Sequence, residues 1–151
     1  MATSNIDRFD QLAGKVLAGL YESFPMTLSL TTEQFSSVIA IDSIETPEGE
    51  QQIFESEEFF CASITWLSKS GYITFGQQGS HPCKFYECTL TAKGLEVLKA
   101  VPDSLSGKSI GSQLQEAAKA GLMGTVKSLT GKAFGIGVTM GYSAVLAAVN
   151  S

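Results

Sequence analysis

Apolar residues recur at three- and four-residue steps along the first part of the chain, at Ile6, Phe9, Ala13, Val16, Leu17, Leu20 and Phe24. That spacing places them on one face of an amphipathic helix, with Ser4 or Asn5 to cap its start and Pro25 to end it. A short extended piece, Met26 to Leu30, follows. Thr31-Thr32-Glu33-Gln34 has the form of a capping box, which satisfies the first amides of a helix and predicts one to about Ala40. Asp42 to Glu55, with Thr46-Pro47-Glu48-Gly49 inside it, reads as an acidic, turn-rich insertion. Ser56-Glu57-Glu58-Phe59 then reads as the start of a third helix, its hydroxyl facing unpaired amides and its carboxylates meeting the positive end of the dipole. Phe60, Ile64 and Leu67 share one face of it. Ser70-Gly71 stops it, because glycine takes the left-handed conformation of a helix C-cap.

The period then changes to that of strands. Tyr72-Ile73-Thr74-Phe75 and Lys84-Phe85-Tyr86-Glu87-Cys88-Thr89-Leu90 are β-rich runs, and Gly76-Gln77-Gln78-Gly79-Ser80-His81-Pro82 between them reads as the polar tip of a hairpin. Leu90-Thr91-Ala92-Lys93-Gly94-Leu95-Glu96-Val97-Leu98 opens a helix that closes before Pro102. The fold class expected is α+β, mainly α.

Three helices, a hairpin and a closing helix resemble the winged-helix superfamily, and two segments carry the likeness. Trp66-Leu67-Ser68-Lys69-Ser70-Gly71-Tyr72-Ile73 resembles the end of a third helix turning into the first wing strand. Leu90-Thr91-Ala92-Lys93-Gly94, with Leu98, is similar to the LTxKG exit from the second wing strand of many such regulators. The resemblance covers roughly residues 6 to 102, so the division expected is a winged-helix domain at 1–103 and a glycine-rich helical tail at 104–151. It implies that DNA or a partner would meet Ser63, Thr65, Ser68 and Lys69 on the third helix and Gln77, Gln78, His81 and Lys84 on the wing.

Charge weakens the DNA alternative. The 151 residues carry a formal charge of −5, and residues 1–60 hold eleven acids against Arg8 and Lys15 alone. Arg8 is the sole arginine, so the guanidinium forks that read guanine and narrow minor grooves are scarce. Within 56–99, Lys69, Lys84, Lys93 and Lys99 are cancelled by Glu57, Glu58, Glu87 and Glu96. A neutral face gains little from counterion release and should bind duplex DNA weakly. The acidic first half suits a basic protein partner better.

Beyond Pro102, Ile110, Leu114, Ala117, Ala118, Gly121, Leu122, Val126 and Leu129 keep helical spacing, and Lys108, Lys119, Lys127 and Lys132 outnumber Glu116. Ser104 to Lys132 is therefore a candidate basic amphipathic helix. Nothing after Lys132 is charged, and residues 133–149 read AFGIGVTMGYSAVLAAV. Glycines pair at GxxxG spacing at Gly107/Gly111, Gly131/Gly135 and Gly137/Gly141, and each costs a helix about 1 kcal/mol relative to alanine. Close helix packing would repay that cost, which makes Gly131, Gly135, Gly137 and Gly141 the candidate packing segment. An apolar run of this length is at the lower edge of what spans a bilayer, so attachment to a membrane through 133–149 is the rival reading of the tail.

Catalytic and metal chemistry find little support. Cys61, Cys83 and Cys88 are odd in number, and MATSNIDRFD lacks the basic start and apolar core of a signal peptide, which points to a reducing, cytoplasmic setting. His81, Cys83 and Cys88 lack the C-x2-C spacing of a structural zinc site, and Cys83 and Cys88 are expected on opposite sides of their strand. Gly107-Lys108-Ser109 lacks the earlier glycine of a phosphate loop, and no Ser-His-Asp or Cys-His group can be composed. Trp66, Phe59, Phe60 and Tyr72 are expected in the core. No cofactor, metal or catalytic residue is assigned. The expectation is a non-enzymatic module that self-associates or docks a partner through its C-terminal helical segment, with a dimeric DNA-binding regulator and a peripheral membrane adaptor as alternatives.

Overall fold

The computed structural model describes residues 4–39, 47–80, 83–102 and 107–150, with backbone alone at 39, 47–54, 80 and 141–150. Within these residues the order is α1 (Asn5–Ser23), β1 (Leu28–Thr31), a 3-10 turn (Thr32–Phe35) running into α2 (Ser36–Ile39), α3 (Pro47–Lys69), β2 (Ile73–Thr74), β3 (Gln77–Ser80), β4 (Cys83–Leu90), α4 (Ala92–Lys99), α5 (Ile110–Ala120) and α6 (Met123–Asn150). The chain is α+β and mainly α, with a small antiparallel sheet.

Several local signals act as expected. Ser4, rather than Asn5, caps α1 by accepting from the Asp7 amide at 3.1 Å. Gln34 closes the capping box by accepting from the Thr31 amide at 3.3 Å. Gly71 ends α3 at φ +87°.

Other boundaries differ. The third helix begins at Pro47, nine residues before Ser56. Proline has no amide to leave unpaired in a first turn, and Glu48 and Glu50 suit the positive end of the dipole, so what reads as turn chemistry is helix-initiating chemistry. Of the expected acidic insertion, 42–46 lies outside the described residues. Ser56 sits inside the helix and is buried. The hairpin tip is shorter than expected, since Gln77–Ser80 is a strand in register with β4, pairing Gln77 with Tyr86 and Ser80 with Cys83. Backbone pairing overrides the weak strand propensity of these polar residues. The helical run after Pro102 is divided at Gly121, which takes φ +73° and ends α5, its amide reaching back to the Ala117 and Ala118 carbonyls.

Strand β4 is central, flanked by β1 on one side and by β2 and β3 on the other. Between the pairs Leu28–Cys88 and Leu30–Phe85, two residues of β4 oppose one of β1. This bulge contains Glu87 at φ +57°. The extra residue resets the alternation, so Cys83, Phe85, Cys88 and Leu90 are all buried. The expectation that Cys83 and Cys88 face opposite sides is thereby corrected.

Helix α1 is the hub. Leu12, Ala13, Gly14, Val16, Leu17, Ala18 and Leu20 are buried, an arc too wide for one apolar stripe, because α1 packs on α3, α5, α6 and the sheet. Ile110, Leu114, Ala117, Val126, Leu129 and Ala133 from α5 and α6 join the same core as Phe60, Ile64, Leu67, Phe85 and Leu98. Gly14 makes the α1/α6 crossing possible. A Cβ there would lie 2.5 Å from Val126 Cγ1 and closer still to Thr130 Oγ1. Gly111 does the same for α5, where a Cβ would fall 2.6 Å from the Tyr21 ring.

Candidate interaction surface

The Leu90–Gly94 segment fixes the base of the surface. Thr91 caps α4 by accepting from the Gly94 amide at 3.0 Å, while its hydroxyl donates to the Gly71 carbonyl. A Cβ at Gly94 would collide with the Tyr72 carbonyl, so glycine lets α4 close against β2. Lys93 donates to the Ser70 carbonyl at 3.1 Å and sits 4.5 Å above the Tyr72 ring. Tyr72 is held from every side, and burial raises its phenol pKa.

Against Tyr72 rest rings from three helices. Phe134 of α6 lies 5.2 Å from it, Trp66 of α3 lies 5.5 Å from Phe134, and Phe9 of α1 lies 5.2 Å from Trp66. Such edge-on and stacked contacts stabilise beyond simple burial. Phe60 and Tyr72 are core as expected, and Phe59 is half-buried under the Arg8 guanidinium at 4.4 Å. Trp66 departs from expectation, because 47% of it remains exposed at the edge of this cluster. Its position between half-buried Thr65 and buried Leu67 in sequence does not show that the ring leans outward.

The outward side of α6 continues from this edge. At 100° per residue, Gly124, Ser128, Gly131, Gly135 and Val138 fall on one stripe opposite the buried Val126, Leu129, Thr130 and Ala133. A Cβ at Gly124, Gly131 or Gly135 would meet nothing within 4 Å, and Val138 is 70% exposed. One flank of this stripe carries Phe134 and Trp66. The other opens into an apolar groove of about 670 Å³ lined by Pro102, Lys132, Gly135, Ile136, Thr139 and Met140. The four candidate packing glycines therefore divide. Gly137 is consumed inside the fold, where a Cβ would strike the Tyr72 hydroxyl. Gly131 and Gly135 face outward, and the side-chain position of Gly141 lies outside the described residues. Gly111 belongs to the Gly107/Gly111 pair, but what it approaches is the Tyr21 ring of α1, and Gly14, which approaches Val126 and Thr130 of α6, has no such spacing.

The residues expected to face DNA or a partner are dispersed. Ser63 is buried and donates to the Phe59 carbonyl at 2.7 Å, so it cannot contact a ligand; its helical periodicity places it beside Phe60 and Ile64 once α3 packs. Thr65, Ser68 and Lys84 are half-buried, Lys69, Gln77 and Gln78 are exposed, and His81 lies outside the described residues. Gln78 turns back on the protein, donating to the sulfurs of Cys61 at 3.2 Å and Cys83 at 3.8 Å. Burial first, then Cys61, pushes the Cys83 thiol up to about 12, and burial pushes Cys88 up to about 11. Among the described residues, no three of His, Cys, Asp and Glu form a group suited to a metal ion, and no helix is long and apolar enough to cross a membrane.

Where α1 meets α6, Lys127 pairs with Asp7 and holds its carboxyl below the usual range, helped by Ser4. Asp10 is shifted the other way, raised by burial despite Lys127. The two act oppositely on stability. Asp7 stabilises above the ordinary carboxylate pKa, an effect lost as pH falls through its lowered folded value. Asp10 favours the fold below its ordinary pKa and loses that contribution as pH rises through its raised value. Asp10→Asn is therefore expected to raise the melting temperature by a few degrees at pH 7 and to leave it unchanged near pH 3, by thermal melts at the two pH values. A drop at pH 7 would show that the Asp10 charge is needed by Lys127.

No protein-family model, no curated protein and no solved structure matches this chain.

Proposed function

We propose that the chain is a non-enzymatic winged-helix module, acting in the cytoplasm, that self-associates through the outward face of α6. The element order and the pairing of β1 and β2 on either side of β4 support the winged-helix reading. The observation that carries the functional one is the stripe of Gly131 and Gly135, open to solvent between the Trp66–Phe134 edge and the apolar groove. Exposed glycines in a long helix cost stability with no return inside the fold. A second α6 laid along them would approach at backbone distance and cover both flanks. The segment after Lys132 has no charge, so two copies meet there without repulsion.

Gly135→Leu tests this without disturbing the fold, because the new side chain enters open space. Wild type is expected to sediment as a dimer at micromolar concentration, and Gly135→Leu to weaken association by about tenfold or more, through steric separation of the helices costing at least ~1.4 kcal/mol. Trp66, the single tryptophan, reports the same event by a blue shift of emission as concentration rises. A dimer unaffected by Gly135→Leu would place the contact elsewhere. A chain monomeric at high concentration would leave this face to a different protein or to a membrane surface, which liposome flotation of the full chain separates.

A further inference from the structure

Cys61 of α3 and Cys83 of β4 are 22 residues apart in sequence and come from different layers of the fold, yet one amide nitrogen, Gln78 Nε2, reaches both sulfurs. Cys61 is close enough to add to the rise in the Cys83 pKa that burial begins. Cys61 is half-exposed and Cys83 is buried. Cys88, the third thiol, is buried at the bulge beside Leu30 and makes neither contact. This is the arrangement of an accessible thiol with a resolving partner behind it.

We infer that Cys61 and Cys83 form a dithiol that a small-molecule disulfide or a peroxide converts to an intramolecular disulfide, clasping α3 to the β3–β4 hairpin. With a disulfide oxidant, the Cys61 sulfur loses its proton and attacks one sulfur of the reagent, expelling one equivalent of thiol and leaving a mixed disulfide. Cys83 then loses its proton and attacks the Cys61 sulfur, expelling the second thiol. Two protein S–H bonds are broken and one S–S bond is formed, while the reagent disulfide is reduced to two thiols. With peroxide, Cys61 becomes a sulfenic acid with loss of water, and Cys83 displaces a second water from it. Burial of Cys83 makes the second step the slow one, so the mixed disulfide or sulfenic acid should be trappable early. Closure also removes two sulfur acceptors from Gln78, which frees that side chain on the outer surface of the hairpin.

The test uses the full chain treated with oxidised glutathione or with hydrogen peroxide. Trypsin cuts after Lys69 and Lys84, so the three cysteines fall on three different peptides and a linkage map identifies the pair without ambiguity. The expected result is a fall from three titratable thiols to one, a linked peptide pair containing Cys61 and Cys83, and full reversal by a reducing agent. Cys61→Ser and Cys83→Ser should abolish closure, whereas Cys88→Ser should retain it. If Cys83→Ser does not fold, the linkage map of wild type still decides. Three thiols remaining free, a Cys83–Cys88 link, or a Cys61–Cys61 dimer would each overturn the inference.

Discussion

A chain ending at Pro102 is expected to lose cooperative folding. The removed segment contributes Ile110, Leu114, Val126 and Leu129, all buried, and it covers the side of α1 where Gly14 meets Thr130 and Tyr21 meets Gly111. The excised residues take their own ordering cost with them, so the loss felt by the remainder is the part of α1 left uncovered. Burying a large apolar side chain contributes about 2 kcal/mol, so uncovering two or three of Leu12, Val16, Leu17 and Leu20 removes roughly 4–6 kcal/mol. Domains of this size have about 5–15 kcal/mol in total. The truncated chain should show no sigmoidal thermal transition by circular dichroism and should bind a hydrophobic dye. A cooperative melt close to that of the full chain would mean that residues up to 102 fold alone and that α5 and α6 are an attachment.

The second large effect is expected from the smallest possible change, Gly94→Ala. Alanine is the better helix former by about 1 kcal/mol, and Gly94 lies within α4, so propensity alone predicts a gain. The added Cβ would occupy the space of the Tyr72 carbonyl oxygen, which is backbone and cannot rotate away. Relief requires α4 to move from β2, disturbing the Thr91 hydroxyl bond to Gly71 and the seat of Tyr72 beneath the aromatic cluster. Overpacking of this kind costs about 1–3 kcal/mol, and here it falls at the upper end because the obstacle is main chain. For a chain of this length that is a fall of roughly 5–10 °C in Tm. Gly19→Ala is the matched control, since it adds the same methyl to helix α1, away from the outward face of α6, where nothing lies within 4 Å; it should gain up to about 1 kcal/mol. Equal effects at the two positions would show that the α4–β2 approach is looser than the structure indicates.

Gly94, Gly135 and Gly137 show how far local sequence reaches. The Leu90–Gly94 motif is legible as a strand-to-helix exit, and its threonine acts as the cap that its residue type predicts. That its glycine is compelled by the Tyr72 carbonyl is not legible, because the obstacle is 22 residues away. Of the glycines at GxxxG spacing in α6, Gly137 is a close approach inside the fold, while Gly131 and Gly135 are open. Spacing within one helix gives a face but not what lies opposite, and so Gly137 and Gly135, two residues apart, have opposite fates. The start of α3 is ambiguous for a different reason: Pro47, Glu48 and Gly49 serve turns and first helical turns alike, and only the backbone hydrogen bonds that follow decide between them.

The candidate surface was partly legible as well. The uncharged run after Lys132 indicates a segment that must be covered by something, but Trp66 reads as core, and Ser63 reads as exposed. Both misreadings concern α3, whose nearly continuous apolar and polar alternation leaves its rotation about the helix axis to its neighbours. Phe9, Tyr72 and Phe134 settle that rotation by taking one face of the indole and leaving the other to solvent.

By itself the sequence determined the secondary structure near most caps and stops, the mixed and mainly helical class, and the absence of charge after Lys132, since each depends on residues within a turn or two of one another. The tertiary structure alone decided which glycines are spacers and which are open, that Cys61 and Cys83 meet beneath Gln78, and that Trp66 borders the outward face of α6. Those outcomes depend on pairs such as Gly14 with Thr130, brought together by burial of apolar area, a non-directional force whose periodic trace in the sequence marks a buried face but not the partner that covers it.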